Sequence, residues 1–190
     1  MSDTTIDLLS AADITDWHSE HDLLVVGFGA AGACAAIESA QAGNSVLVVE
    51  RGSGIGGTTS LATGHFYLGG GTRVQLANGI EDSADEMFNY LMANTPDPDA
   101  EKIRAYADDS VSHFNWLVEQ GVPFNDGFYR KKHYEQPTDE CLIWSGNEKA
   151  WPYSQQAKPA PRGHKVEHLG SGGGAIVMQK LGEAAKQLKV

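Results

Sequence analysis

Apolar residues follow two patterns along this chain. Leu23 to Val26 and Val46 to Val49 are short, unbroken apolar runs that predict strands, the second of them a parallel strand buried on both faces. Small residues from about Ala30 to Ala42 predict a helix between them, with Gly43 and Asn44 as its stop. Residues 51–80 are rich in glycine and threonine and read as loop. From there the helical period takes over. Ser83-Ala-Asp-Glu86 reads as a capping box ahead of Met87, Tyr90 and Leu91. A longer helix is expected from Asp99, with Ile103, Tyr106, Ala107, Ser110, Phe114, Leu117 and Val118 on one stripe, ending at Gly121 and Pro123. Residues 124–169 read as irregular, because Pro137, Pro152, Pro159 and Pro161 interrupt any period. Such a length without regular structure suggests a lid or another functional segment. The glycine run Gly170-Ser-Gly-Gly-Gly174 then leads into a helix of about Ala175 to Leu188.

The first strand runs directly into Gly27-x-Gly29-x-x-Gly32, which opens the alanine-rich helix. Such a unit binds dinucleotides: the first glycine permits a tight turn, the second lets backbone approach a pyrophosphate, and the third lets helix and strand pack closely. The helix N-terminus supplies free N–H groups and a positive dipole end for the phosphates. Glu50 closes the second strand, where a carboxylate can accept from ribose hydroxyls. A glycine turn that packs without ligand is the alternative, but strand, glycines, helix, second strand and acid stand in the order the motif requires. A second glycine turn, Gly52-Ser-Gly-Ile-Gly-Gly57 with Thr58-Thr59-Ser60 behind it, follows the acid. A cofactor that extends past its pyrophosphate into ribityl and isoalloxazine needs close-approaching backbone there, so the reading is FAD rather than NAD.

The 190 residues are 41% hydrophobic and 21% charged, which suits a globular chain with a real core. A net charge of −11 argues against nucleic acid or an anionic membrane as principal partner. No stretch approaches the roughly 18 apolar residues of a membrane span. Two cysteines, Cys34 and Cys141, are too few for a disulfide framework, and the expected location is the cytoplasm. His164 and His168 have helical spacing but no third ligand, so no metal site is expected. Arg130-Lys131-Lys132 reads as a solvated loop or part of a lid. Tyr129, Tyr134, Trp144, Trp151 and Tyr153 crowd the irregular stretch. They suit either a flat apolar pocket or plain anchoring of a long loop.

The sequence resembles the fumarate reductase/succinate dehydrogenase flavoprotein family, most closely its 3-ketosteroid dehydrogenase branch. Besides residues 22–64, the resemblance rests on Leu68-Gly-Gly-Gly-Thr72, Gly79 to Met87, Phe114-Asn-Trp-Leu117, Gly146 to Pro152 and Pro159-Ala-Pro-Arg-Gly-His-Lys165. It implies an α/β fold: a Rossmann-like FAD-binding βαβ unit with added helices and the start of a cap or substrate region. The expected regions are a leader (1–21), the first part of the FAD-binding domain (22–123), the start of a cap (124–169) and a helix returning to the FAD domain (170–190). The resemblance places Gly27, Gly29, Ala30, Ala31 and Gly32 around the pyrophosphate and Glu50 on the adenosine ribose, with Arg51 and Gly57 beside them. Thr58, Thr59 and Ser60 would line pyrophosphate and ribityl, and Thr63 and Gly64 the flavin. Some relatives attach FAD through a histidine, but the sequence around His65 differs from theirs, so non-covalent FAD is expected.

The activity implied is FAD-dependent dehydrogenation of a carbon–carbon bond beside a carbonyl, on a small apolar substrate such as a steroid and with an unnamed electron acceptor. Reduction of fumarate or a related unsaturated acid is the alternative. A third possibility is a truncated, non-catalytic fragment, because only one βαβ unit is present and the pattern reads as the first part of a larger flavoprotein. No catalytic residue is assigned; in relatives the base and carbonyl donors lie mostly in later segments. The isolated 190-residue chain is accordingly expected to show little FAD-dependent dehydrogenase activity. An assay with a steroid and an artificial electron acceptor checks this, and robust turnover would contradict it.

Overall fold

The computed structural model describes residues 10–133 and 135–190. Residues 1–9 of the leader and the aromatic Tyr134 lie outside the described residues. Strands β1 (Leu23–Val26) and β2 (Val46–Val49) pair in parallel, from Leu23 opposite Val46 to Val26 opposite Val49. Helix α1 (Ala30–Gln41) crosses between them and buries Ala33, Ala36 and Ile37 completely. It stops as the sequence predicts. Gly43 takes a φ of +90°, and the Gly43 and Asn44 N–H groups bond back to Ala40 O (3.0 Å) and Ser39 O (3.2 Å).

Burial of β2 on both faces does not hold. Helix α6 (Gly173–Gln187) packs beside α1 and covers one side of the pair with it. The other side carries Leu24, Val26, Leu47 and Val49, which are 57%, 81%, 36% and 44% exposed. Helices cover this two-stranded sheet on one side only, and among the described residues the second side stays open.

Residues 51–80, expected as loop, hold a 3₁₀ turn at Gly57–Leu61, strand β3 (His65–Tyr67) and the short helix α2 (Arg73–Ala77). Helix α3 spans Ala84–Asn94. Ser83 Oγ caps it by accepting the Glu86 N–H at 3.2 Å, but Glu86 does not return the bond. Its carboxylate instead accepts the Lys158 N–H (2.5 Å). The reciprocal capping box sits at α2, where Thr72 and Gln75 each satisfy the other's backbone N–H. The long helix expected from Asp99 is two helices, α4 (Ala100–Asp108) and α5 (Ser110–Glu119). At the junction Ser112 Oγ donates to Asp109 O (2.8 Å), and Ser110 Oγ leaves the helix to accept the Gly69 N–H at 2.8 Å. A serine side chain that bonds to nearby backbone competes with helix propagation.

The stretch read as irregular contains three short strands, β4 (Phe128–Lys132), β5 (Leu142–Trp144) and β6 (Gly163–Lys165). With β3 they form a sheet of order β3-β6-β5-β4, antiparallel except for β4 beside β5. The basic run Arg130 to Lys132 is therefore on an outer strand, where exposed charge discourages edge-to-edge association. On the core side of this sheet, Phe114 packs between Phe124 and His164, with ring centroids 5.0 and 5.2 Å away.

A buried ion pair fastens this sheet to α2. Arg162 donates twice to Asp82, Nε to Oδ2 (2.9 Å) and Nη2 to Oδ1 (2.7 Å), with both side chains out of solvent. Asp82 Oδ2 also accepts from Gln75 Nε2 (3.0 Å) and the Gly70 N–H (3.0 Å). Burial works against the Asp82 charge, but the Arg162 bonds and charge outweigh it and hold the carboxyl below its usual range. Asp82→Asn strands the buried guanidinium and is expected to cost about 3–5 kcal/mol in chemical denaturation. A carboxyl with a lowered folded-state pKa contributes in full above its ordinary value of 3.8, and that contribution fades as pH falls through the folded value. The acid limb of the stability curve should therefore flatten in the same variant.

Candidate functional site

The fingerprint glycines hold two turns at backbone contact. Gly27 leaves β1 with a φ of +95°, a conformation that glycine adopts without penalty. A Cβ at Gly32 would lie 2.0 Å from Gly27 O, so only glycine lets α1 start against that turn. The second turn is stitched to the first: the Gly56 N–H donates to Phe28 O (2.8 Å), and the Ala30 N–H donates to Thr59 Oγ1 (3.2 Å). Ser60 Oγ sits where a Cβ at Gly56 would collide with it, 1.8 Å away. Gly29, the residue before α1, offers no side-chain cap, and no acid lies in the first helical turn. The Ala30 N–H is taken by Thr59 Oγ1, whereas those of Ala31 and Gly32 have no intrahelical acceptor and remain available to an anion.

Glu50 stands at the rim of this surface. Its Oε2 accepts the Phe28 N–H (2.7 Å) and its Oε1 the Gly52 N–H (2.6 Å). These two bonds, Phe28 first, hold the exposed carboxyl below its usual range. Glu50 thus ties both turns together and keeps oxygen lone pairs free for hydroxyl donors. Thr63 and Gly64 meet a third backbone segment, the start of α6. A Cβ on Gly64 would lie 2.7 Å from the Gly173 carbonyl carbon, and one on Gly174 would lie 2.1 Å from Thr59 O. The Gly174 N–H donates to Ala62 O (2.9 Å).

Gly27, Gly29, Ala30, Gly32, Glu50, Thr59, Ser60, Thr63 and Gly64 are thus brought onto one continuous surface, with Ala31 in the first turn of α1 and Gly57 in the second glycine turn. Arg51 and Thr58 are exposed. The sequence reading missed Phe28, whose N–H and C=O both stitch the turns, and the packing role of Gly173 and Gly174. The glycine run at 170–174 carried that signal and was read only as the lead into a helix. A cleft of about 830 Å³ also lies along β2 and α6, and it reaches Glu50 and Ser60 but none of the fingerprint glycines.

Other candidates disperse. His164 is fully buried, bonded to Thr72 Oγ1 (2.8 Å) and Arg162 O (3.1 Å), and burial pushes its pKa down to about 4. The aromatics of the stretch from 124 to 169 line no common pocket among the described residues. Trp151 is 82% exposed, Trp144 lies under Lys149 (3.7 Å), and Tyr153 packs on Tyr90 at 6.0 Å. No described helix is long and apolar enough to cross a membrane.

The backbone cradle and its uncapped helix start fit a pyrophosphate, and Glu50 fits a ribose. Comparison with known proteins supplies the family. The chain is 34% identical over 170 residues to a 3-oxo-5-alpha-steroid 4-dehydrogenase of Comamonas testosteroni, covering 87% of this chain and 32% of that protein. It is 47% identical to a 3-ketosteroid-Δ4-(5α)-dehydrogenase from Rhodococcus jostii RHA1, solved with 4-androstene-3,17-dione, at a TM-score of 0.90. That match covers 95% of this chain and 39% of that one. A flavocytochrome c3 fumarate reductase shares the fold at 23% identity and a TM-score of 0.63, over 88% of this chain and 25% of its own. The chain therefore spans about a third of the length of its steroid-dehydrogenase relatives. The model of the FAD binding domain matches residues 22–182, most of its length, and the chain belongs to that family.

Proposed function

We propose that the chain forms the adenosine, pyrophosphate and part of the flavin contact of a non-covalent FAD site. The whole protein is then an oxidoreductase that dehydrogenates a carbon–carbon bond beside a carbonyl in a small apolar compound, a 3-ketosteroid by likeness to its relatives. One observation carries the FAD assignment: the second glycine turn is hydrogen-bonded to the first across Phe28 and Ala30, which extends the backbone cradle beyond a pyrophosphate. Bound FAD supplies the two-electron chemistry, and the protein supplies binding and orientation.

The N–H groups of Gly29, Ala31 and Gly32 at the start of α1 take the pyrophosphate charge, with Ala30 held beside them by Thr59. Glu50 accepts from the adenosine ribose, with Arg51 at the rim. Gly57, Thr58, Thr59 and Ser60 serve the pyrophosphate and ribityl, and Thr63 and Gly64 the flavin. No residue of this chain is assigned as the base that takes the α-proton. The acid-reductase alternative needs arginines to clamp carboxylates. Arg73, Arg104 and Arg162 are already paired with Asp126, with Asp85 and Asp108, and with Asp82. Two free cysteines, Cys34 and Cys141, support a reducing compartment such as the cytoplasm.

Glu50→Gln removes a charged acceptor from the ribose. It is expected to weaken FAD binding about ten- to hundredfold in equilibrium titration, from the ~1.5–3 kcal/mol of a hydrogen bond to a charged group. Gly32→Val, which forces a side chain into Gly27 O, should abolish binding altogether. Non-covalent attachment predicts that acid precipitation of the reconstituted protein leaves the yellow colour in the supernatant. A flavin retained in the pellet after denaturing wash would overturn that part.

A further inference from the structure

The cleft beside β2 runs along an open strand edge. Val46, Leu47 and Val48 all line it, and successive side chains of a strand point to opposite faces, so a cavity touching three in a row follows the edge. The other edge belongs to β1, where Ser45 O accepts the Leu23 N–H (3.1 Å) and Val49 O the Gly27 N–H (2.7 Å). Peptide groups alternate in direction along a strand, so the N–H and C=O of Val46 and Val48 face the cleft. Among the described residues β1 is the only strand paired with β2. Natural edges are guarded by charge, proline or a bulge, and Val46-Leu-Val-Val49 has none of these. Helix α6 roofs the cleft with the small residues Ala175, Gly182 and Ala185. It starts beside the turn that follows Glu50, where the Gly174 N–H meets Ala62 O, and its 15 residues lie along β2 in the opposite direction.

Handedness says where a further strand belongs. Parallel strands joined through a helix make a right-handed crossover, and α1 makes that step from β1 to β2 on the side that α6 also covers. A second crossover helix on the same side carries a chain onward in the same sense, to a position beyond β2. That position is the cleft. We propose that the cleft seats an extended apolar segment as a third, parallel strand, supplied by the part of its relatives' length, about two thirds, that this chain does not span, and that seating it and binding the cofactor reinforce each other. The coupling runs through Glu50 and Ser60, which border both the cleft and the cofactor surface. A segment bonded to Val46 and Val48 steadies the strand that carries Glu50, so its carboxylate is already in place for a ribose. This second half rests on the FAD reading; the strand seat does not. A second copy of the chain is the poorer occupant, because each copy carries a net charge of −11.

The test co-expresses the 190-residue chain with the unmatched part of the Rhodococcus jostii dehydrogenase as a separate polypeptide, and follows amide hydrogen exchange. In the chain alone, the Val46 and Val48 amides should exchange fast, and those of Leu47 and Val49, which face β1, slowly. In the complex Val46 and Val48 should slow about tenfold or more, with Leu47 and Val49 unchanged. Gly182→Phe puts a ring into the cleft and should weaken the complex about tenfold, with a thermal melt to show that the variant is folded. ADP carries the adenosine ribose and pyrophosphate without the flavin, and the complex should bind it about tenfold more tightly than the chain alone does. Failure to co-purify, a complex that leaves Val46 and Val48 exchanging fast, or a Gly182→Phe variant that binds as the parent does sinks the strand seat. Slow exchange at Val46 and Val48 in the chain alone overturns it too, and a dimeric mass in light scattering then assigns the edge to a second copy. Equal ADP affinity in both forms removes the coupling only. If the strand seats and neither form binds ADP, the cofactor reading fails and the seat stands.

Discussion

Backbone meeting backbone with no side chain between is the constraint on which the rest of this structure depends. It occurs at Gly32 against Gly27, at Gly64 against Gly173 and at Gly174 against Thr59, where any Cβ would intrude to 2.0–2.7 Å. Those contacts bring the start of α1, the turn after Glu50 and the start of α6 onto one surface, although they come from opposite ends of the sequence. The carboxylate of Glu50 and the two polar groups of the Phe28 peptide fasten the first two of them. A surface made of main-chain N–H groups reads phosphate by geometry rather than by side-chain identity.

Much of this was legible in the sequence, for a physical reason. An unbroken apolar run, a small-residue helix and a glycine turn each leave a strong local signal, so β1, α1 and β2 came out close to their observed bounds. The second glycine turn after Glu50 pointed to FAD, and the family followed from the resemblance of residues 22–64 and the later motifs. What sequence could not supply was long-range. Strands β5 and β6 are three residues each, too short for a period of two to show, and their partners are distant in the chain. The Asp82–Arg162 pair and the His65–Lys165 apposition exist only once that sheet forms.

Local chemistry misled where tertiary bonds outbid it. Ser83 and Glu86 have the letters of a reciprocal cap, yet Glu86 serves Lys158 instead. The stripe from Ile103 to Val118 has one helical period, yet it breaks at Asp109, beside the serine whose hydroxyl accepts the Gly69 N–H. In both cases a side chain capable of closing a local bond was drawn to a partner far away in sequence. A buried ion pair gives little net stabilisation, but losing one partner leaves the other charge buried and unpaired. Here it fixes where β6 lies, and so where His65 and Lys165 face each other.

The uncovered side of the β1–β2 pair has a consequence for handling the protein. Leu24, Val26, Leu47 and Val49 form an apolar stripe facing water on a strand pair, the kind of surface that recruits its own copies. Mutual repulsion from a net charge of −11 opposes that self-association. That repulsion falls away near the isoelectric point of about 4.9, where nothing long-ranged opposes contact between two such stripes.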